Sequence, residues 1–265
     1  VIDWWQALIL ALIQGLTEFL PISSSAHLVL PTLLLDWPDQ GLAFDVAVHI
    51  GTLMAVLWYF RDDLLRLLRE TLHATAERRV NGALAEVFCL ALGTLPALVA
   101  GLFLSDFADD LRTLPVLATT TILFALLLAW ADRKPAAAEE PQAVGWRAAL
   151  FIGVAQAFAL IPGTSRSGVT ITAGLFAGLS RAAAARFSFL LSIPIIAGAG
   201  LLKSLEWIDA PGAVSWPLVT MATLVAAATA YGCIAVFLAL VERVGMMPFV
   251  LYRLALGALL LVVWL

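Results

Sequence analysis

Gln14, Glu18, Ser23, Ser24, Ser25 and His27 lie in one short block, Gln14-Gly15-Leu16-Thr17-Glu18-Phe19-Leu20-Pro21-Ile22-Ser23-Ser24-Ser25-Ala26-His27, inside an otherwise apolar stretch. A second block, Pro162-Gly163-Thr164-Ser165-Arg166-Ser167-Gly168, interrupts another apolar stretch about 140 residues later. Burying an ionisable group at membrane depth costs about 3 kcal/mol or more unless a partner or a wet cavity compensates, so such groups mark function. Gln14 and Glu18 are one helical turn apart and share a face. Pro21 ends that helix, and Ser23, Ser24 or Ser25 is a natural cap for the next. His27 follows Ser23 by four residues and Ser24 by three, so its imidazole can share a face with a serine hydroxyl. Glu18, a serine and His27 are therefore expected to gather around one helix N-terminus.

A helix N-terminus presents unsatisfied N–H groups and partial positive charge, which suits phosphate. The second block repeats that arrangement, with Thr164, Ser165 or Ser167 as cap and Gly163 and Gly168 permitting close backbone approach. Arg166 adds a planar cation able to grip phosphate oxygens with two bonds, and Thr170, one turn on, can reach the same phosphate. Together with Ser23 and Ser25, these residues describe a cradle for a di- or polyphosphate. Glu18 and a histidine beside it add phosphoryl-transfer chemistry: Ser24 or His27 as attacking group, Glu18 as base or metal ligand, Arg166 for the charge on phosphorus oxygens. Glu18 with Gln14 can also hold a hard divalent cation bridging the pyrophosphate. Blander roles apply elsewhere: serines can bond their own backbone, Thr170 and Thr172 can merely pack, and His49 and His73 are assigned no role. Cys89 and Cys233 read as buried thiols rather than a disulfide or metal pair.

The elements that carry these blocks follow from composition. The chain is 62% hydrophobic and only 13% charged, with mean hydropathy +0.99, which excludes an ordinary soluble domain. Long Leu, Ala and Val runs exclude the alternating strands of a β-barrel, so the fold class is an all-α integral membrane protein in a lipid bilayer. The net charge of −4 and the lack of any Lys/Arg run give no sign of nucleic acid. The first apolar stretch has no Lys or Arg before Arg61, so it reads as part of the mature fold rather than a cleaved signal. Six transmembrane helices are expected at about 43–60, 85–104, 114–131, 186–202, 216–240 and 248–265. Stretches 4–35 and 146–180 are each split by a polar block into halves too short to cross, which predicts two re-entrant helix pairs.

The two halves resemble each other in order. Gln14 with Pro21 to Ser24 corresponds to Gln156 with Pro162 to Ser165, Phe44 to Phe187, and 92–101 with Pro96 to 220–232. This predicts a first repeat over 1–131, a cytoplasmic linker over 132–147 and a second repeat over 148–265, within one structural domain. A re-entrant pair returns to its starting side and three spans do not, so the second repeat must be inverted, an architecture common among transporters. With the N-terminus outside, the inner connections hold Arg61, Arg66, Arg69, Arg78, Arg79, Arg133, Lys134, Arg147, Arg181, Arg186 and Arg243, and the outer ones only Arg112 and Lys203. That bias fixes the orientation and opens the first block to the outside. Asp106, Asp109 and Asp110 then form a solvated outer surface.

At these residues the chain resembles the undecaprenyl-pyrophosphate phosphatase family of the bacitracin-resistance type. The family pattern Glu/Gln-x-x-x-Glu followed by Phe-Leu-Pro-Val/Ile-Ser-Ser-x-x-His matches Gln14, Glu18, Phe19 to Ser24 and His27. Its Pro-Gly-x-Ser-Arg-Ser-x-x-Thr matches Pro162, Gly163, Ser165, Arg166, Ser167 and Thr170, and the likeness runs over essentially the whole chain. The resemblance implies removal of the terminal phosphate of undecaprenyl pyrophosphate, a polyprenyl pyrophosphate lipid, which recycles the carrier for cell-wall synthesis and confers bacitracin resistance. It implies a divalent cation, magnesium or calcium, a bacterial inner (plasma) membrane location and an active site facing the periplasm or cell exterior. It also implies six spans with two re-entrant pairs in inverted repeats. Position 14, often Glu in the family, is Gln here, so Glu18 carries more of the metal-facing role. A homodimer is left open. The alternative function is a transporter or flippase for a lipid phosphate, alone or combined with hydrolysis. The other lipid phosphatase superfamily fits poorly, because no Ser-Gly-His occurs and no His follows Arg166.

Overall fold

The computed structural model describes residues 2–133, 143–209 and 215–265, and within them all side chains except those of 105–110 and 207–209. Residues 134–142 of the expected linker, and the side chains of Asp106, Asp109 and Asp110, lie outside the described residues. Every regular element among the described residues is helical. In order they are α1 (Trp4–Thr17), α2 (Ser24–Leu35), α3 (Leu42–Tyr59), α4 (Arg61–Ala76), α5 (Gly82–Asp110), α6 (Leu114–Asp132), α7 (Trp146–Ala157), a 3₁₀ turn (Phe158–Leu160), α8 (Arg166–Phe176), α9 (Arg181–Asp209), α10 (Trp216–Val244) and α11 (Met247–Trp264). Six of them, α3, α5, α6, α9, α10 and α11, are long and apolar enough to cross a membrane. These agree with the six spans read from the sequence.

The two split stretches become two short helix pairs. Asp3 opens α1 by donating its backbone N–H to Gln6 Oε1 at 2.8 Å, and Pro21 stops the chain before α2. Trp5, near the start of α1, stacks edge-on against Trp37, just beyond α2, with ring centroids 4.9 Å apart. The pair therefore leaves and regains the same end of the bundle. In the second pair, Val144 O, just before α7, accepts from Cys89 Sγ near the start of α5, and Phe176 at the end of α8 meets Trp130 near the end of α6. That pair thus occupies the opposite end.

Packing interlocks the halves of the chain. α1 lies on α10 and α7 on α5, while α3 packs on α9 and α10, and α6 on α11. Small residues allow the close approach: a Cβ at Gly15 of α1 would lie 2.7 Å from Thr229 Cβ and 2.8 Å from Ala226 O of α10. The core beneath the site is an aromatic chain of Phe19, Phe189, Phe237 and Phe249, with successive centroids 5.2, 5.7 and 5.4 Å apart.

One element departs from the sequence reading. Arg61, Arg66 and Arg69, read as belonging to a connecting loop, lie in the amphipathic helix α4. Leu67 and Ala74 turn inward, and Asp63 with Glu86 of α5 binds Arg186 of α9 at 3.0 and 2.6 Å. The short hydrophobic spacing of α4 supports a surface helix but falls below the length of a span, which is why a search for spans passes over it. All nine tryptophans sit at or within a few residues of a helix end, as expected for a bundle with an interfacial zone at each face.

Candidate functional site

The tips of the two short pairs meet inside the bundle. Ser167 Oγ, in the first turn of α8, donates to Leu20 O at 2.8 Å, and Thr120 Oγ1 of α6 donates to Pro162 O at 2.6 Å. The backbone at each tip takes the same unusual form. Ser23 (φ 73°, ψ 92°) precedes α2 and Ser165 (φ 70°, ψ 110°) precedes α8, both with positive φ at a residue bearing a side chain. Such a conformation costs about 1–3 kcal/mol and persists where the surroundings enforce it, commonly at functional sites. Ser23 Oγ lies 3.2 Å from Ser25 Oγ, and Ser165 Oγ lies 3.3 Å from Ser167 Oγ. By backbone form, Ser23 thus matches Ser165, one residue out of step with the pairing of Ser24 with Ser165 drawn from sequence.

Glu18 is the centre of the polar cluster. Its Oε1 accepts from Arg166 at 2.8 Å, and its Oε2 accepts from Gln14 Nε2 at 2.9 Å and from Ser24 Oγ at 3.0 Å. His49 Nε2 approaches the same Oε2 at 3.9 Å, while its Nδ1 donates to Asp45 O at 2.7 Å. Gln14, Glu18 and Arg166 are all nearly enclosed, with Glu18 8% and the Arg166 side chain 11% exposed, so the ion pair is screened far less than one on a surface. Arg166 also donates to Ser188 O at 3.3 Å and lies over the Phe19 ring, 5.8 Å from its centroid. Gln14 Oε1 is buried without a partner, as is Thr164 Oγ1.

The other expected residues fall as follows. Ser23 is the residue before α2, and Ser25 is the exposed member of the serine run. Ser165 caps α8 by accepting from Gly168 N at 3.1 Å. Gly163 has φ 86°, and a Cβ there would strike Thr120 Oγ1 and Leu117 O, so glycine is required where the second tip rests on α6. His27 departs from the expected gathering with Glu18: its Nδ1 contacts Ser23 O at 2.7 Å and its Nε2 contacts Tyr252 OH at 2.5 Å. A carbonyl only accepts, so Nδ1 carries a proton, and in the neutral ring Nε2 accepts from the tyrosine. Thr170 is likewise turned from the cluster, its hydroxyl on Arg166 O at 2.9 Å, Ser167 O at 3.2 Å and Ser188 Oγ at 2.6 Å. It braces the segment that carries Arg166.

Three further residues enter the site that spacing did not single out: His49 from α3, and Tyr252 and Arg253 from α11. His49 and Tyr252 arrive through tertiary packing and leave no local signal. Arg253 leaves one, because an arginine in the middle of an apolar span is costly without a function.

The fold and the site define a class: a polytopic, all-helical membrane protein in which two helix N-termini converge on a buried carboxylate–arginine pair fringed by hydroxyls. Residues 7–259 match the family of the bacitracin resistance protein BacA. A protein of Alcanivorax borkumensis named undecaprenyl-diphosphatase is 56% identical over 261 residues, 98% of each chain. One of Hahella chejuensis with the same name is 53% identical over 263 residues, covering 99% of this chain and 98% of that one. Undecaprenyl-diphosphatase 2 of Stutzerimonas stutzeri is 52% identical over 266 residues, 99% and 98% of the two chains. The chain belongs to the BacA family.

Proposed function

We propose that this chain is a membrane phosphatase that converts undecaprenyl pyrophosphate to undecaprenyl phosphate and inorganic phosphate, returning the lipid carrier to cell-wall synthesis. The observation that carries the reading is the bridge across the two tips, in which Glu18 is held between Ser24 Oγ and Arg166. The names of the relatives support the same reaction, and the transport reading finds no support among them.

The chemistry follows from what each group can do. The free N–H groups at the starts of α2 and α8 and the Arg166 guanidinium receive the pyrophosphate oxygens. An arriving phosphate competes with Glu18 for Arg166, and each bond it takes from the carboxylate makes Glu18 a stronger base. Glu18 Oε2, already accepting from Ser24, then removes the hydroxyl proton as Ser24 Oγ forms a bond to the terminal phosphorus. The bond from that phosphorus to the bridging oxygen breaks, Glu18 hands its proton to that oxygen, and the lipid monophosphate leaves. Water, deprotonated by Glu18 in its turn, then attacks the same phosphorus, the bond to Ser24 Oγ breaks, and Glu18 returns its proton to that hydroxyl as phosphate leaves. Ser24 is preferred over His27 as nucleophile because the His27 Nε2 lone pair is already engaged by Tyr252.

A divalent cation fits the donors present. Gln14 Oε1 is buried and unpartnered one turn from Glu18, and no cluster of three or more acidic, histidine or cysteine ligands occurs among the described residues. Gln14 and Glu18 would hold the ion, with substrate oxygens and water completing its shell. When bound, it would supply positive charge to the pyrophosphate oxygens. The location proposed is the bacterial plasma membrane with the site opening away from the cytoplasm, and each short pair is read as the re-entrant pair of one of two inverted repeats. Support comes from the basic residues gathered at the end that carries α4, opposite the end where α1 begins.

The test is phosphate release from farnesyl or undecaprenyl pyrophosphate by the purified protein. Glu18→Ala and Arg166→Ala are each expected to lower kcat/KM by about a hundredfold or more, the scale of a lost general base or a lost charge clamp. Full activity in either variant would overturn the site.

A further inference from the structure

Arg253 is 0% exposed, yet its chemistry is used nowhere in the reaction above. Its Nε donates to Thr121 O at 3.2 Å, one terminal nitrogen to Pro21 O at 3.4 Å, and the other to Gly163 O at 3.0 Å and Thr164 O at 2.9 Å. All four acceptors are backbone carbonyls: one on α6, one in the first tip and two in the second. Among the described residues no carboxylate lies within ion-pair distance of it, whereas Arg166 is matched by Glu18 at 2.8 Å. Gly168 leaves room for it, since a Cβ there would lie 2.7 Å from a terminal nitrogen of Arg253. A buried cation held only by carbonyls is costly.

The geometry shows what that cost secures. Every peptide bond described is trans, so a carbonyl drawn one way turns the N–H of the next residue the other way. Two of the three tip peptides use that N–H locally, Ile22 on Leu20 O at 2.8 Å and Thr164 on Ile161 O at 3.2 Å. The third, between Thr164 and Ser165, has its carbonyl on Arg253, and among the described residues its N–H has no acceptor. That free N–H immediately precedes those of Arg166 and Ser167 at the start of α8.

We propose that Arg253 is a positioning residue for pyrophosphate: from behind the backbone it fixes the Thr164–Ser165 peptide with its N–H toward the anion, and it supplies net positive charge that the mutually neutralised Glu18–Arg166 pair does not. The inference rests on the phosphate site proposed above. It acts through aligned peptide dipoles, guanidinium to carbonyl and N–H to phosphate, with no direct contact to the substrate.

The experiment uses the full chain in detergent or nanodiscs and reads the inhibition constant of inorganic pyrophosphate against farnesyl pyrophosphate hydrolysis, alongside KM, kcat and thermal unfolding. Arg253→Met and Arg253→Gln are expected to weaken pyrophosphate inhibition about tenfold or more, with KM rising in step, whereas Arg253→Lys stays within about threefold of the parent. Arg166→Gln is the control for the site itself, and unchanged inhibition in that variant would sink the phosphate site. With that control weakened, parental inhibition in a folded Met or Gln variant would overturn the role of Arg253 alone. So would a Lys variant no better than Gln, or failure of both neutral variants to fold, which would leave Arg253 a structural residue only.

Discussion

At the residue scale, the site divides into groups that spacing reveals and groups that only packing supplies. The turn between Gln14 and Glu18, the serine run and Arg166 were legible because each is a polar residue at a helical interval in an apolar setting, where the role of a solvated surface residue is closed to it. The position of His27 was not, since periodicity tells which face a side chain shares but not which neighbour that face meets. Its partner, Tyr252, comes from the last helix, 225 residues away. Arg253 was within reach of simple subtraction: the inner and outer groups of basic residues read from the sequence account for every Lys and Arg except Arg166 and Arg253. The engagement of His27 by Tyr252 leads to a definite chemical outcome. A phospho-enzyme trapped by acid quenching is expected to be stable to acid and labile to base, as a phosphoserine at Ser24 would be. An acid-labile species would move the attack to His27.

At the element scale, the short helices are made by punctuation and the long ones by length. Pro21 and Pro162 interrupt stretches that would otherwise read as spans, and Ser23 and Ser165 then turn through positive φ to start α2 and α8. The strained turns were not legible, because serine is not a residue that advertises a left-handed backbone. Helix α4 was missed for a different reason: its charges dominate its average hydropathy, and only the spacing of Leu64, Leu67 and Ala74 betrays a helix. The contact of α1 with α10 depends on having no side chain at Gly15. Gly15→Leu is expected to lower stability by about 1–3 kcal/mol, seen as a lower unfolding temperature in detergent. It should also impair activity in the fraction that stays folded, because Gln14 and Glu18 ride on the same helix.

At the scale of the whole molecule, neither half of the chain closes a core by itself. α1 needs α10, α7 needs α5, and the polar cluster needs both tips. Cutting the chain between α6 and α7 is therefore expected to leave each fragment inactive when made alone, while the two fragments made together in one membrane should recover phosphatase activity. Activity from a single fragment would refute the interlocked arrangement. The ion pair at the centre spans 148 residues of sequence, and that separation has a consequence in time. As the chain emerges from the ribosome, Glu18 enters the membrane long before Arg166 has been made. Until then the carboxylate must stay hydrated, take up a proton or wait at the insertion machinery. Assembly of the first pair is thus gated by synthesis of the second, and loss of Arg166 should be felt in the yield of inserted protein as well as in its chemistry.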